Sequence, residues 1–382
     1  MFMDASLPVT YAKHQNDSGY MPQLDALRAL AVAAVVYSHW IPFKYQFGFQ
    51  FGHLGVQCFF MLSGFLITGI LLRCRHANNH WFALKAFYAR RFLRIFPLYY
   101  LVIFLLCAFQ CIPLREAILW HIPYLSNLKM FLQQSFEMHI SHFWTLAVEE
   151  QFYLFWPLVM LFIPQRSILK SILLVIAIGA LSQFLPVIYP DLRLLGKLLV
   201  SNFDALGLGA FLAVAKSRTD IPTKWVSFLA LTVPLFLTVY GLRAVGVLLP
   251  FHFQLEHFLM LLAILWLIDI SSRGIPGRVG QLMTLQPILY LGRISYGLYV
   301  LHIFAGYPVA YFCDAIGMPS LRFGFTGILL KAIATILAAS LSWKFFEAPL
   351  NSLKSRFPYR PEKTRSDSPS VSTIGNHRRL AA

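Results

Sequence analysis

The chain has 382 residues, of which 58% are hydrophobic and only 13% are charged. A soluble domain of ordinary composition carries about 25% charged residues, so the composition excludes a soluble globular protein and indicates an integral membrane protein. The formal net charge of +16 does not indicate nucleic-acid binding, because the basic residues flank apolar segments and form no separate basic domain.

Ten apolar segments follow one another along the chain, and most have the length of a transmembrane helix. The predicted fold is therefore an all-α polytopic membrane protein with about ten transmembrane helices in the lipid bilayer. The predicted spans are Leu24–Trp40, Leu54–Leu72, Arg94–Cys111, Trp144–Ile163, Ile168–Pro186, Phe203–Ala215, Trp225–Gly246, Leu255–Ile270, Pro287–Phe312 and Phe323–Phe346.

Lys and Arg are concentrated in alternate loops, with six of them in residues 73–94 between the second and third spans. Cytoplasmic loops carry this excess, so both termini are predicted to be cytoplasmic. A reporter fused after Ala382 is expected in the cytoplasm and one inserted near Met130 outside. Finding both reporters on one side of the membrane would contradict the ten-span topology.

By composition the chain divides into a cytoplasmic segment 1–20, a membrane domain 21–350 and a tail 351–382. The tail is rich in Ser, Pro, Lys and Arg and is predicted to be disordered and cytoplasmic. The cysteines form no CxxC pair and no metal-ligand spacing, so no metal site is predicted, while a Cys111–Cys313 disulfide is left open. The five cysteines are Cys58, Cys74, Cys107, Cys111 and Cys313.

Arg28 and His39 are two ionisable residues within the first apolar segment. Eleven residues of α-helix return to nearly the same face, so the two side chains are predicted to share that face about 16 Å apart. Ionisable groups in hydrocarbon are costly unless they face a protein interior or an aqueous cavity. Arg28 and His39 are therefore predicted to be functional.

Glu149 and Glu150 lie in the first turns of the fourth span, at a depth that matches His39 near the outer end of the first. A His39–Glu149 pair is predicted, because a carboxylate fixes the imidazole tautomer and raises its basicity for taking a proton from a hydroxyl. The alternative is that His39 is a packing residue with satisfied hydrogen bonds.

Four further candidate sites follow, and three of them have two interpretations each. Arg91 and Arg94, three residues apart, would clamp phosphates, or would only mark the inner face of the membrane. Ser63 beside Gly64 would be a nucleophile or substrate ligand, or would only allow close helix packing. Asp204 adds a carboxylate at a depth similar to that of Glu149. Tyr296 and His302 lie near one another along the ninth span, where a structural role is the alternative to substrate binding.

These residues occur in an ordered set of motifs. On this order the chain resembles the acyltransferase-3 family of bacterial integral membrane acyltransferases, except that Asn202 stands where many members have a basic residue before the Asp. The motifs are Arg-x10-His from Arg28 to His39, Phe59-Phe60-Met61-Leu62-Ser63-Gly64, Arg-x-x-Arg of Arg91 and Arg94, Trp144-Thr145-Leu146 with Glu149, Ile294-Ser295-Tyr296 ahead of His302, and Phe346-Glu347-Ala348-Pro349.

The resemblance implies acyl-CoA, expected to be acetyl-CoA, as a co-substrate, with no permanently bound cofactor. Arg91 and Arg94 would bind the CoA phosphates, and Arg28 with Ser63 would bind the pantetheine or acyl end. His39 and Glu149, with Arg28, would form the catalytic group. The remaining candidates, Asp204, Tyr296 and His302, would bind the acceptor.

The function implied by the resemblance is O-acylation of a carbohydrate, such as a polysaccharide or lipopolysaccharide, at the bacterial inner membrane. Direct transfer and an acyl-His or acyl-Ser relay are both open. The rival hypothesis is a proton-coupled secondary transporter or a flippase for lipid-linked glycans, because intramembrane Arg, His and Glu also serve transport.

Overall fold

A computed structural model describes residues 20–75, 79–136, 140–218, 224–247 and 251–359. Within those ranges the chain is helical with no β-strand, which confirms the predicted all-α fold. The main helices are α1 (Pro22–Trp40), α2 (Phe51–Cys74), α3 (His80–Ala108), α4 (Ser126–Gln133), α5 (Phe143–Phe162), α6 (Gln165–Ser182), α7 (Phe203–Ser217), α8 (Thr232–Ala244), α9 (His252–Arg273), α10 (Gly277–Met283), α11 (Gln286–Arg293), α12 (Ser295–Leu301), α13 (Gly306–Ala315) and α14 (Gly324–Ser342).

Among the described residues, 7 helical segments are long and apolar enough to cross a membrane, so the chain is a multi-pass membrane protein. Helices α1 and α5 have the length of a span, but their polar residues lower their apolarity. The total of ten spans stays a prediction. The 7 segments are Phe51–Cys74, His80–Ala108, Gln165–Ile188, Leu199–Ser217, Val226–Ala244, His252–Arg273 and Gly324–Arg356.

The predicted ninth span, Pro287–Phe312, is not one helix. It is divided into α11, α12 and α13, with a break after Leu301. At this break the side chain of His302 hydrogen bonds the Tyr299 carbonyl through Nδ1 at 2.7 Å. In an unbroken helix that carbonyl would accept from a backbone amide one turn later, so the side chain competes with continuation of the helix.

Helix α2 lies at the centre of the core and packs against α1, α7 and α5. Its crossing with α7 is close because glycines face each other. A Cβ at Gly64 would lie 2.0 Å from the carbonyl oxygen of Leu206, and one at Gly209 would lie 2.0 Å from that of Met61. Close helix packing was one of the two interpretations of Ser63 beside Gly64. The structure assigns this packing role to Gly64, as expected for small residues between membrane helices.

Substituting alanine for Gly64 is expected to lower the stability of the folded protein by about 2 kcal/mol or more, because α2 and α7 must separate to admit the methyl group. Gly69→Ala is the matched control on the same helix, since a Cβ there meets nothing nearer than a guanidinium nitrogen of Arg73 at 3.8 Å. Thermal unfolding in detergent measures both variants. Equal midpoints would show that the crossing tolerates the added carbon.

The segment after α14 continues as helix at Ala348–Ser352 and as 3₁₀-helix at Leu353–Arg356. Arg90 on α3 donates to the carbonyls of Lys354 and Phe357 at 2.8 and 3.1 Å. The predicted disordered tail from Asn351 is thus wrong for its first residues, which these contacts anchor. Residues 1–19 and 360–382 lie outside the described ranges. All five cysteines are free thiols, so the Cys111–Cys313 disulfide is not formed.

Candidate active site

A cavity of about 300 Å³, called cavity one, lies between α1, α2, α3, α5 and α12. The predicted residues that line it are Arg28, Ser63, Arg91, Arg94, Glu149 and Tyr296. Six predicted residues from five separate motifs therefore meet around one space.

The three arginines of cavity one differ in their partners. Arg28 forms an ion pair with Asp25, which lies on the same helix. Arg91 lies over the rings of Phe87 and Tyr153, with its Cζ 5.6 and 5.3 Å from their centroids. Among the described residues no carboxylate forms an ion pair with Arg91 or Arg94. Two such guanidinium groups in an interior cavity indicate a site for an anionic ligand.

Glu149 forms a polar triangle with two hydroxyl groups in cavity one. Ser63 Oγ donates to its Oε1 at 2.9 Å, and the Tyr153 hydroxyl lies 3.1 Å from Oε2 and 2.9 Å from Ser63 Oγ. The predicted His39–Glu149 pair is not formed. The predicted similar depth does not bring the two residues together, because Glu149 faces Ser63 on α2 and His39 lines a different cavity.

A second cavity of about 440 Å³, called cavity two, lies beyond the C-terminal end of α1. His39, His142 and Lys197 line it. Val56 and Tyr299 belong to the walls of both cavities, so the two spaces meet at these side chains. Within the described ranges no cluster of three His, Cys, Asp or Glu side chains is arranged to hold a metal ion.

The hydrogen bonds of His302 determine the tautomer of His39. His302 Nδ1 lies 2.7 Å from the Tyr299 carbonyl, which can only accept, so this nitrogen carries the proton. In the neutral ring Nε2 then accepts from His39 Nδ1 at 2.8 Å. His39 is left with a lone pair on Nε2, which is the form that a general base needs. His302 supplies the support that the sequence assigned to Glu149.

The polar groups of the three predicted acceptor ligands form hydrogen bonds within the protein. His302 is 0% exposed and acts on His39. The Tyr296 hydroxyl donates to the Ile95 carbonyl at 2.6 Å, although its ring lines cavity one. Asp204 is 1% exposed and accepts from His257 Nε2 at 2.8 Å. These contacts give the three residues supporting roles in the structure.

Lys197 is a site residue that the sequence did not reveal, because it belongs to none of the ordered motifs. Asn202 holds its loop by donating to the carbonyls of Gly196 and Leu198 at 3.0 and 2.8 Å. The Lys197 ammonium lies 4.2 Å from the centroid of the Trp144 ring. Burial lowers the pKa of Lys197 to about 8. The unusual Asn202 thus positions a cation in cavity two.

A protein-family model described as an acyltransferase domain matches residues 21–345. The chain belongs to the acyltransferase-3 family. It is 30% identical over 365 residues to the peptidoglycan O-acetyltransferase OatA of Listeria monocytogenes, covering 87% of this chain and 56% of that protein. It is 26% identical over 394 residues to the O-acetyltransferase OatA of Staphylococcus aureus, covering 90% of this chain and 59% of that protein.

A third relative, the putative peptidoglycan O-acetyltransferase YrhL of Bacillus subtilis, is 30% identical over 373 residues, covering 87% of this chain and 55% of that protein. The chain therefore spans little more than half the length of these curated relatives. No solved structure matches it. The family membership confirms the resemblance that the ordered motifs indicated.

Proposed function

We propose that this protein is an O-acyltransferase of the bacterial inner membrane that moves an acyl group, expected to be acetyl, from acyl-CoA to a hydroxyl of a cell-envelope glycan. The observation that carries the proposal is the arrangement of two cavities that meet at Val56 and Tyr299. One contains arginines without carboxylate partners, and the other contains a histidine in the tautomer of a base.

The comparisons support the same proposal at a coarser level. Membership of the acyltransferase-3 family favours acyl transfer over the rival hypotheses of a transporter or a flippase. The names of two relatives include peptidoglycan. Peptidoglycan is thus a better candidate acceptor for this chain than the lipopolysaccharide suggested at first.

The donor would enter cavity one from the cytoplasm. The excess of Lys and Arg at the start of α3 assigns that end of the helix to the cytoplasmic side. Arg91 and Arg94, one helical turn apart, would hold the CoA phosphates by paired hydrogen bonds. The helix rises about 16 Å between Arg28 and His39, a distance that an extended pantetheine arm spans. The thioester would then lie near the junction of the cavities.

The acceptor hydroxyl would lie in cavity two. His39 Nε2 takes its proton while the hydroxyl oxygen attacks the thioester carbon. The carbon–sulfur bond breaks, CoA leaves as the thiolate, and the imidazolium returns the proton to the sulfur. The Lys197 ammonium would offset the negative charge on the oxygen of the tetrahedral intermediate.

Ser63 gives a second route with the same overall reaction. Its hydroxyl already donates to Glu149 at 2.9 Å, which is the contact that activates a nucleophile. In this relay Ser63 would take the acyl group from CoA and pass it to the acceptor. Direct transfer by His39 and a relay through Ser63 differ in whether the protein itself becomes acylated.

The test uses purified protein in nanodiscs with radiolabelled acetyl-CoA. We expect label to move to added peptidoglycan glycan strands, and mass spectrometry should find fewer O-acetyl groups in the envelope of cells that lack the protein. Label that stays on the protein when no acceptor is present, and that Ser63→Ala abolishes, would establish the relay. Absence of both acetyl-CoA binding and transfer would contradict the proposed function.

Lys197→Met is expected to lower kcat by about 100-fold, because removal of one group that stabilises an oxyanion has an effect of this order. The pKa of Lys197 is lowered to about 8, so the ammonium is present below that pH and is lost as pH rises through it. The wild-type rate should therefore fall above about pH 8. The variant should lack this fall.

Lys44→Met is the matched control for this prediction. Lys44 is also a lysine above an aromatic ring, with Nζ 4.8 Å from the centroid of Tyr45, but it lines neither cavity. Its substitution should leave both kcat and the pH profile unchanged. Wild-type activity in Lys197→Met at pH 7 would remove Lys197 from the mechanism.

A further inference from the structure

A third cavity of about 370 Å³ adjoins cavity two and is here called cavity three. Gln50 and His53 line both, and most of the other walls come from α8 and α9. None of the residues that line cavity one contributes to it. Its volume lies in the range of about 300 to 1,000 Å³ found for small-molecule sites. A molecule held in cavity three would reach cavity two without displacing a donor from cavity one.

One wall of cavity three is aromatic. The ring of Phe49 lies 5.4 Å from that of Tyr240 and 5.9 Å from that of Phe236, both in edge-to-face geometry. Phe253 adds a further ring. Aromatic faces bind the carbon-bound hydrogens of a sugar ring by dispersion and burial of apolar surface.

The other walls of cavity three are polar. Gln50 and Gln254 supply amides, and Arg243 Nε pairs with Glu256 Oε1 at 2.6 Å. Arg193, the remaining guanidinium at this cavity, donates to a backbone carbonyl at 3.2 Å. These groups both donate and accept hydrogen bonds, as sugar hydroxyls require. The pairing of Arg243 with Glu256 distinguishes this cavity from the arginine site of cavity one.

A chain of side-chain hydrogen bonds ends at the boundary of cavities two and three. Asp204 accepts hydrogen bonds from Gln183 Nε2 at 3.0 Å and from His257 Nε2 at 2.8 Å. On the other side of its ring, His257 Nδ1 lies 3.1 Å from His53 Nε2. A carboxylate only accepts, so with neutral rings His257 Nε2 carries a proton and His53 Nε2 donates to His257. His53 is left with the lone pair of Nδ1 as an acceptor.

We propose that cavity three holds the saccharide that bears the acceptor hydroxyl, and that His53 positions it by accepting a hydrogen bond from a neighbouring hydroxyl of the same sugar. This inference rests on the proposed function for the chemistry at His39. His53 is a positioning residue, held in orientation by His257 and Asp204. These three hydrogen-bonded side chains would thereby determine which hydroxyl of the sugar faces His39 and is acylated.

The experiment uses the full chain in nanodiscs with chitotetraose as the acceptor probe and saturating acetyl-CoA. We expect His53→Ala to raise the KM for chitotetraose by about tenfold, the cost of one lost hydrogen bond. NMR of the product should show acylation at more than one hydroxyl. The dissociation constant of acetyl-CoA should not change. His53→Asn should recover part of the loss, because its amide oxygen replaces the acceptor Nδ1.

Phe253→Ala tests cavity three without changing His53 or His257. It should also raise the KM for chitotetraose. Phe312→Ala is the matched control, because the two phenylalanines are 55% and 54% exposed but Phe312 lines none of these cavities. An unchanged KM and product in both His53→Ala and Phe253→Ala would overturn the inference. So would a wild-type protein that does not bind chitotetraose.

Saturation-transfer NMR measures direct binding of chitotetraose in the absence of acetyl-CoA. This measurement separates the inference from the proposed function. Binding that both His53→Ala and Phe253→Ala weaken, in a protein that transfers no acetyl group, would support the saccharide site and contradict the transferase. Transfer that neither substitution affects would support the transferase and contradict the site.

Discussion

Replacing His39 by alanine is expected to lower acyl transfer by about 10²- to 10⁴-fold, the usual contribution of a general base. The affinity for acyl-CoA should change little, because the arginines line cavity one and this side chain lines cavity two. Turnover of acetyl-CoA and its dissociation constant, measured on the same nanodisc preparation, provide the two values.

His302→Ala tests the tautomer argument behind this prediction. Without His302 Nε2 as acceptor for His39 Nδ1, the imidazole of His39 loses its preference for the form with a lone pair on Nε2. We expect a smaller loss of kcat than in His39→Ala, with acetyl-CoA binding retained. Near-normal turnover in His39→Ala would rule out His39 as the base, and a loss of folded protein would assign it to packing.

The double substitution of Arg91 and Arg94 by lysine separates ligand binding from membrane topology. Lysine keeps the positive charge that orients a span, but it lacks the planar fork that pairs with phosphate oxygens. If the two arginines hold the CoA phosphates, the dissociation constant of acetyl-CoA should rise by about 10- to 100-fold, as for the loss of one or two charge-assisted hydrogen bonds.

Arg166→Lys is the control for this effect. Arg166 lies at the start of α6, among the loops that the charge distribution assigns to the same face, and it lines none of the cavities. Its substitution should not alter the constant, and the termini of every variant should lie on the same side of the membrane as in the wild-type protein. An unchanged affinity in the double variant would return Arg91 and Arg94 to a purely topological role.

Much of cavity one could be predicted from sequence because its residues are determined by two one-dimensional quantities. Hydropathy sets the depth of a residue in the membrane, and the helical period sets the face it shares with its neighbours. Arg28, Arg91 and Glu149 are predicted as site residues on these grounds. The depths predicted for Arg91, at the inner face, and for Glu149, near the outer face, do not predict that they line one cavity, as they do in the structure. The ordered motifs predicted the family on the same residues, and the family model confirmed it.

The partners of these residues could not be predicted in the same way. Depth matched His39 to Glu149, yet His39 bonds His302 and Glu149 bonds Ser63. Rotation of one helix relative to another depends on how side chains pack at the crossing, and Gly64 shows how one missing Cβ sets such an approach. Neither hydropathy nor helical periodicity predicts the rotation of one helix relative to another.

The sequence by itself determined an all-α membrane chain, its family and, as candidates, the arginines and the glutamate that line cavity one. Only the tertiary structure decided that Lys197 enters cavity two, that Asp204 is linked through His257 to His53, and that the ninth predicted span is broken. Each of these depends on contacts between residues distant in the chain. Such contacts arise from three-dimensional packing, which local composition and spacing do not specify.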